Sequence, residues 1–544
     1  MAFPEQRQFK VAVLLILAAA VVLCSLPADS QAQAQAGNPF AFTFSGLVRG
    51  TVSSAGVREF LGIPYAAAPL GNLRWRPPVP HAPWFQTLDA TQFANHCPQT
   101  ASPFGVASTT EDCLFLNVYT PGSNGGGGIE GPRPVMVWIH GGALVDGESN
   151  DYDPTAMVKD GVIVVTINYR LGILGFLAHP AFAAEKTDPD HDGDFAAGSA
   201  GDYGLMDQQL ALRWVRDNIV FFGGDPLNVT IFGESAGGLS VFSQLASPSA
   251  ANLFQKAIIE SGAYNQTTQT LATAEAAGTT FATAAGCSSQ TAACLRALPV
   301  STLLANQNPA GYTPNIDGEF LPLSLGTALA TGQFHHVPII QGSNHDEWRL
   351  FTSLDFDLTI GPIGNNEVAY EAALASLVGP GAPFVAAEYP LASFPSADLA
   401  FATAGTDVVF ACPAYGADLS MSQFVPLSTY EFNDENAPQD FLPPVTFPYG
   451  AAHASELQYL FNLPITVPRP PLDAQQLQLS SAMQHYWTNF AKSGTPNGAG
   501  LAAWPQFNPL QGNFQSLIPP SPVQETTFAT NHKCAFWAAL LAAQ

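Results

Sequence analysis

Apolar and polar positions along the chain fall into blocks of two kinds. Pro134–His140, Val162–Asn168, Lys256–Glu260, Val337–Gln341 and Leu427–Phe432 are short, nearly unbroken apolar runs. Such runs, rich in Val and Ile, read as strands buried on both faces. Between them lie segments of helical period. Met206–Val220 places Leu210, Leu212, Trp214 and Val215 on its apolar positions, and Gly238–Leu245 is also helix-capable. Strands alternating with helices predict an α/β chain with a large, mostly parallel central sheet flanked by helices on both faces. Leu271–Ala330 is Ala- and Thr-rich with weak periodicity and reads as short helices decorating the sheet. No repeat and no Pro/Gly/Ser-rich linker divides the chain, so residues 37–544 read as one domain. Gly125–Gly128 reads as a surface loop.

One junction between these blocks carries chemistry. The apolar run Asn228–Phe232 leads directly into Gly233-Glu234-Ser235-Ala236-Gly237-Gly238, which contains G-x-S-x-G, and a helical segment follows. Strand, sharp turn and helix are the context in which that pattern forms a nucleophile elbow. The turn lifts a serine hydroxyl above the sheet edge, and the flanking glycines keep Cβ atoms out of its way.

A serine hydroxyl needs a general base, itself held by a third group. On this kind of elbow the chain order is serine, acid, histidine. Six histidines follow Ser235: His335, His336, His345, His453, His485 and His532. His453 sits in a Gly-containing loop that enters a helical segment, which suits a base projecting from a loop. The acid is expected after the strand ending at Gln341, where spacing alone does not separate Asp346 from Glu347. Backbone donors for an oxyanion are expected from Ala236 and from the turn His140-Gly141-Gly142-Ala143 after an early strand.

The N-terminus alters the compartment. Arg7 and Lys10 precede the apolar run Val11–Leu23, and Ala-x-Ala sites follow at Ala32–Ala34 and Ala34–Ala36. This is the pattern of a cleavable signal peptide over residues 1–36, too short for a comfortable membrane span. Cys24 raises lipid attachment, but Val21-Val22-Leu23 lacks the small residue usual before such a cysteine, so release is expected, secreted or periplasmic. No later segment reads as transmembrane. Six cysteines remain, an even count that suits disulfides in an exported chain, with fifteen possible connectivities. The net charge of −25 comes from scarce bases, 18 Lys+Arg against 43 Asp+Glu. A surface this negative argues against nucleic acid and anionic membranes as partners. Arg74-Trp75-Arg76 reads as a solvated, partly packed face.

With these residues in view, the chain resembles the type-B carboxylesterase/cholinesterase family of the α/β-hydrolase fold. The likeness rests on Phe60–Tyr65, Leu73–Trp75, Glu111–Val118, Asn168–Gly172, Tyr203–Gln208, Phe222–Pro226 and Cys534–Trp537, and it spans nearly all of the mature chain. The resemblance implies Ser235 as nucleophile, Glu347 as acid and His453 as base. It implies an oxyanion hole of Gly142, Ala143 and Ala236, with Ser261 supporting the triad. It also implies the pairs Cys97–Cys113, Cys287–Cys294 and Cys412–Cys534. The expected activity is hydrolysis of small-molecule or polymeric carboxylic esters through an acyl-enzyme, with no metal or organic cofactor.

Three departures from the family pattern matter. Ala143 stands where many relatives have glycine. The loop between Cys97 and Cys113 holds 15 residues and no tryptophan, which removes the aromatic platform for a choline-type cation and leaves little material for a lid. Asp188-Pro-Asp190-His-Asp192-Gly193-Asp194 copies the first half of a calcium loop, but Ser199 stands where the twelfth-position glutamate belongs. The stretch reads as an acidic surface turn, with a structural Ca²⁺ site as the sharper alternative. Amide, thioester or polyester hydrolysis is possible on the same triad. A non-catalytic adhesion or binding module is disfavoured because all three triad residue types are present.

Overall fold

The computed structural model describes residues 38–122, 131–183, 200–307 and 313–543. The signal segment with Cys24, the Gly125–Gly128 run and the Asp188–Asp194 stretch lie outside the described residues.

An 11-stranded sheet organises the chain. Its strands are β1 (Thr51–Val52), β2 (Arg58–Pro64), β3 (Phe115–Thr120), β4 (Arg133–Ile139), β5 (Ile163–Ile167), β6 (Gly224–Glu234), β7 (Lys256–Glu260), β8 (Ile339–Asn344), β9 (Leu427–Phe432), β10 (Phe514–Leu517) and β11 (Val523–Glu525). Their spatial order is β11-β10-β9-β8-β7-β6-β4-β5-β3-β2-β1. Pairing is parallel from β5 through β4, β6, β7, β8 and β9 to β10, and antiparallel toward both edges. The parallel centre is where the unbroken apolar runs lie, because helices cover both faces there.

The two faces separate along a single strand. Val135, Val137 and Ile139 of β4 join one core with helices α1 (Tyr203–Asn218) and α2 (Ala236–Ala246). Met136 and Trp138 join a second core, built on helix α3 (Ala474–Ser493). Alternation of side chains along a strand produces this split. α3 begins at an Asp473 capping box and ends on Gly494, whose φ of +79° suits glycine.

Leu271–Ala330 does form short helices, at Leu271–Ala284, Ala292–Ala297, Val300–Asn306 and Leu325–Thr331. Cysteine pairs join Cys97 to Cys113, Cys287 to Cys294, and Cys412 to Cys534. The stretch 367–388 is long and apolar enough for a membrane span. Gly379–Gly381 divides it into two helices that pack around Tyr370, Leu374, Val385 and Tyr389.

Arg74 corrects the reading of a solvated basic face. It is buried, and its guanidinium meets the Glu111 carboxylate at 2.7 and 2.5 Å. Two further N–H bonds reach the carbonyls of Arg296 and Leu298. Buried charges persist when they are paired and hydrogen-bonded in this way.

Candidate active site

β6 ends at Glu234, and Ser235 takes φ +55° and ψ −121° before α2 begins. That conformation is costly for a residue with a Cβ and persists only where its surroundings enforce it. The surroundings are close. Ser235 N–H donates to Glu260 O at 2.9 Å, and Leu239 N–H donates to Ser235 O at 2.8 Å. A Cβ on Gly237 would lie 1.9 Å from Ile139 O, and one on Gly233 would lie 2.6 Å from the Gly237 carbonyl carbon. Both positions therefore need glycine for close approach, not for a positive φ.

The two candidate carboxylates, Asp346 and Glu347, follow the end of β8. Glu347 is buried, and its Oε1 accepts from Asn344 N–H at 2.7 Å and from the Ser261 hydroxyl at 2.5 Å. Its Oε2 lies 2.5 Å from His453 Nδ1. Asp346, the competing carboxylate, turns elsewhere. It accepts from Ala451 N–H at 3.0 Å and pairs with Arg349 at 2.8 Å and His345 at 3.1 Å. Burial opposes its charge, but His345 and Arg349 prevail and hold it below the usual carboxylate range. Asp346 thus anchors the loop that bears the histidine, and Glu347 meets the imidazole.

His453 is buried against the stacked rings of Phe351 and Phe410, each 5.0 Å away. Phe410 projects from a π-helical turn, Thr406–Ala411, a distortion that often marks functional sites. The second imidazole nitrogen, Nε2, lies 3.1 Å from Glu234 Oε1, an ion-pair separation outside hydrogen-bond geometry. Burial works against a charged imidazole, yet Glu234 and Glu347 outweigh it and raise the His453 pKa. Glu234 is itself pushed up to about 7 by burial, with His453 pulling it down and Glu347 adding to the rise. Glu234 was visible inside the serine motif but had no assigned role. A charged residue ending a buried strand was the available signal.

The remaining histidines have other partners. His335 and His336 contact backbone carbonyls, and His485 is on the outer side of α3. His532 bridges Asp407 at 2.5 Å and Glu431 at 2.6 Å, which lifts its pKa to about 10 against the cost of burial.

The His140–Ala143 turn follows β4 and runs alongside the serine. A Cβ on Gly141 would sit 3.2 Å from Ser235 Cβ. Gly142 and Ala143 take φ of +97° and +52°. Ala236 opens α2, so its N–H has no partner within the helix. Burial lowers the His140 pKa to about 4, and its neutral ring lies with Nδ1 2.8 Å from Gly141 O. The Cys97–Cys113 loop grips this turn from outside. Gly147 N–H donates to Gln99 Oε1 at 2.8 Å, Gln99 Nε2 donates to Gly147 O at 3.1 Å, and the Ser102 hydroxyl donates to Asp146 at 2.5 Å. Spacing gave no hint of the Gln99 and Asp146 contacts, which form only once the loop folds over the turn.

A protein-family model described as the carboxylesterase family matches residues 38–537. The chain is 34% identical over 521 residues to an acylcarnitine hydrolase of Mus musculus, covering 89% of this chain and 88% of that protein. It is 35% identical over 490 residues to a para-nitrobenzyl esterase of Bacillus subtilis, covering 85% and 91%. A solved PNB esterase structure superposes with a TM-score of 0.76 at 31% identity, over 91% of this chain and 99% of that one. An elbow serine, a buried Glu–His pair and sequence likeness along almost the whole length converge: the chain belongs to the carboxylesterase family and is a carboxylic ester hydrolase of α/β-hydrolase fold.

Proposed function

We propose that Ser235, His453 and Glu347 form the catalytic triad and that hydrolysis proceeds through an acyl-enzyme. The observation that supports this most is His453, held on Nδ1 by a buried Glu347 and with Nε2 3.1 Å from Glu234, the residue just before the elbow serine. His453 Nε2 takes the Ser235 proton as Oγ attacks the ester carbonyl. Glu347 fixes the tautomer and stabilises the imidazolium that results. The tetrahedral oxyanion rests on the N–H groups of Gly142, Ala143 and Ala236. His453 then gives its proton to the leaving alcohol, and water repeats the cycle to release the acid. Ser261 holds Glu347 in place. The test is hydrolysis of p-nitrophenyl esters from acetyl to palmitoyl beside matched anilides and thioesters. Turnover confined to oxygen esters supports the reading, and turnover of the anilides alone contradicts it.

The three cysteine pairs and the N-terminal pattern support export through a cleaved signal, with small-molecule esters as substrates. The short Cys97–Cys113 loop supports a site without a lid. Activity should therefore rise smoothly with substrate concentration and show no jump at the solubility limit of a long-chain ester.

Glu234 sets the acid limb of the pH profile. A base acts only when unprotonated, so a raised His453 pKa moves the loss of kcat/KM to higher pH. Glu234→Gln removes a negative charge from Nε2, and the limb should shift to lower pH. A limb that stays or moves up contradicts the assignment.

Ala143 narrows the oxyanion side. Ala143→Gly relieves a positive φ and removes a Cβ, and activity on tertiary-alcohol esters should rise. Equal activity of both forms on those esters counts against a steric role.

A further inference from the structure

The Phe410 ring, against which His453 packs, is braced from a distance. It is buried, packs against Tyr264 at 5.5 Å and stacks on Phe351 at 5.8 Å and 18°. The π-helical turn that carries it, Thr406–Ala411, lies between the helices Ala397–Gly405 and Cys412–Met421. Such a turn is rare inside a helical run, and this one is fastened along its length. At its start, Thr406 Oγ1 accepts from the N–H of Trp348, the residue after Glu347, at 3.0 Å. Gly405 has no room for a Cβ against the Trp348 ring, so the two segments interlock. Just past its end, Cys412 is bonded to Cys534. Between these ties, Asp407 is held by His532.

His532 is the centre of a buried bridge. It is 3% exposed, and its two partners, Asp407 and Glu431, are 0% and 1% exposed. Its Nδ1 lies 2.5 Å from Asp407 Oδ1, and its Nε2 lies 2.6 Å from Glu431 Oε1. Each carboxylate has a second donor. The Tyr389 hydroxyl donates to Asp407 Oδ2 at 2.6 Å, and Asn433 Nδ2 donates to Glu431 Oε2 at 2.9 Å. Both imidazole nitrogens face carboxylates, so both carry protons and the ring is a cation, in keeping with its raised pKa. Hydrogen bonds to charged groups are short, strong and directional. They fix the angle of Asp407 as well as its depth, which apolar packing alone does not. Glu431 lies on β9, so the bridge ties the π-helical turn to the central sheet. Phe410 follows Asp407 by three residues on that turn. No step of the acyl-transfer cycle uses His532.

We propose that His532 is a positioning residue: by clamping Asp407 to β9 it sets the π-helical turn, and with it the Phe410 ring, against the His453 imidazole. This rests on His453 being the general base. The clamp governs the orientation of the base and not the affinity for substrate, so its loss falls on kcat. A displacement of about 1 Å at a reacting group, caused from afar, can cost about 10²-fold in rate, so a partial loosening is readily measured.

The test is a double-mutant cycle of His532→Gln and Phe410→Leu. kcat and KM on p-nitrophenyl butanoate and the thermal midpoint are measured for the wild type, both single variants and the double variant. His532→Gln is expected to lower kcat about 10-fold and to change KM less than about 2-fold. In the Phe410→Leu background the same substitution should change kcat less than about 2-fold, because the ring through which it acts is gone, while its effect on the midpoint persists. An equal kcat factor in both backgrounds, or an unchanged kcat in His532→Gln, overturns the proposal and leaves the triad standing. If His532→Gln does not fold, Asp407→Asn takes its place in the cycle. It keeps the side-chain shape, and a smaller loss of about 3-fold with the same dependence on Phe410 is expected. Absence of ester turnover by the wild type overturns the triad reading and this one together.

Discussion

Ser235→Ala is expected to lower kcat on p-nitrophenyl butanoate by about 10⁴- to 10⁶-fold while leaving the fold intact. The size follows from the mechanism. Without Oγ there is no acyl-enzyme, and His453 and Glu347 have no nucleophile to activate. What remains is the oxyanion hole and substrate binding, which by themselves still accelerate hydrolysis by about 10³ over water. The fold survives because alanine keeps the Cβ and the backbone bonds that impose the turn. Those are Ser235 N–H to Glu260 O and Leu239 N–H to Ser235 O, and neither involves the hydroxyl. The variant should melt with the wild type. Substantial residual turnover with unchanged KM would show that another group performs the attack.

The largest effect on stability is expected from Asp207→Ala, at about 3–5 kcal/mol, read from denaturant midpoints. Asp207 lies in α1 with no exposed surface and accepts three bonds from Arg170. Backbone N–H and Nε reach Oδ2 at 3.0 and 2.8 Å, and Nη2 reaches Oδ1 at 2.7 Å. Burial outweighs the guanidinium and raises the Asp207 pKa, so the carboxylate depends on its partner to stay charged. Removing the carboxylate strands Arg170 between β5 and α1. Replacing both residues by apolar ones of similar volume (Arg170→Met with Asp207→Leu) should recover most of the loss, because a buried pair costs desolvation that a packed core does not. If the double variant is no more stable than Asp207→Ala, the pair contributes net stability and the reasoning fails.

Much of the centre of the fold was legible because physics leaves few readings for it. Ile163–Ile167 and Lys256–Glu260 are buried on both faces, so their apolar runs need no alternation to be recognised. The edges were less legible. β10 and β11 are four and three residues long, pair antiparallel, and carry polar positions that match a loop as well as a strand. Asn228–Phe232 was read as a short strand, but β6 extends from Gly224, which pairs with Arg133 of β4 ahead of a break in register that resumes at Val229 opposite Val135.

The site divided in the same way. Ser235 could be read from local context because an elbow is made by adjacent residues. Asp346 and Glu347 could not be told apart by spacing, since the choice depends on side-chain direction at the end of β8. There, Asn344 N–H and Ser261 capture one carboxylate, while Arg349 and His345 capture the other. Tyr264, Phe351 and Phe410 come from three separate segments and share no spacing, so only folding brings them to one wall. Arg74 was misread because a charged residue looks solvated in a sequence until its partner, Glu111, is known to be buried beside it.

The central claim is that Ser235 is the nucleophile. The most direct measurement treats the mature protein with a p-nitrophenyl alkylphosphonate, follows release of nitrophenol against loss of esterase activity, and maps the adduct by peptide mass. The account predicts one equivalent per chain, located on Ser235, with activity lost in proportion and no adduct in Ser235→Ala. An adduct on any other residue, or full inactivation with Ser235 unmodified, contradicts it.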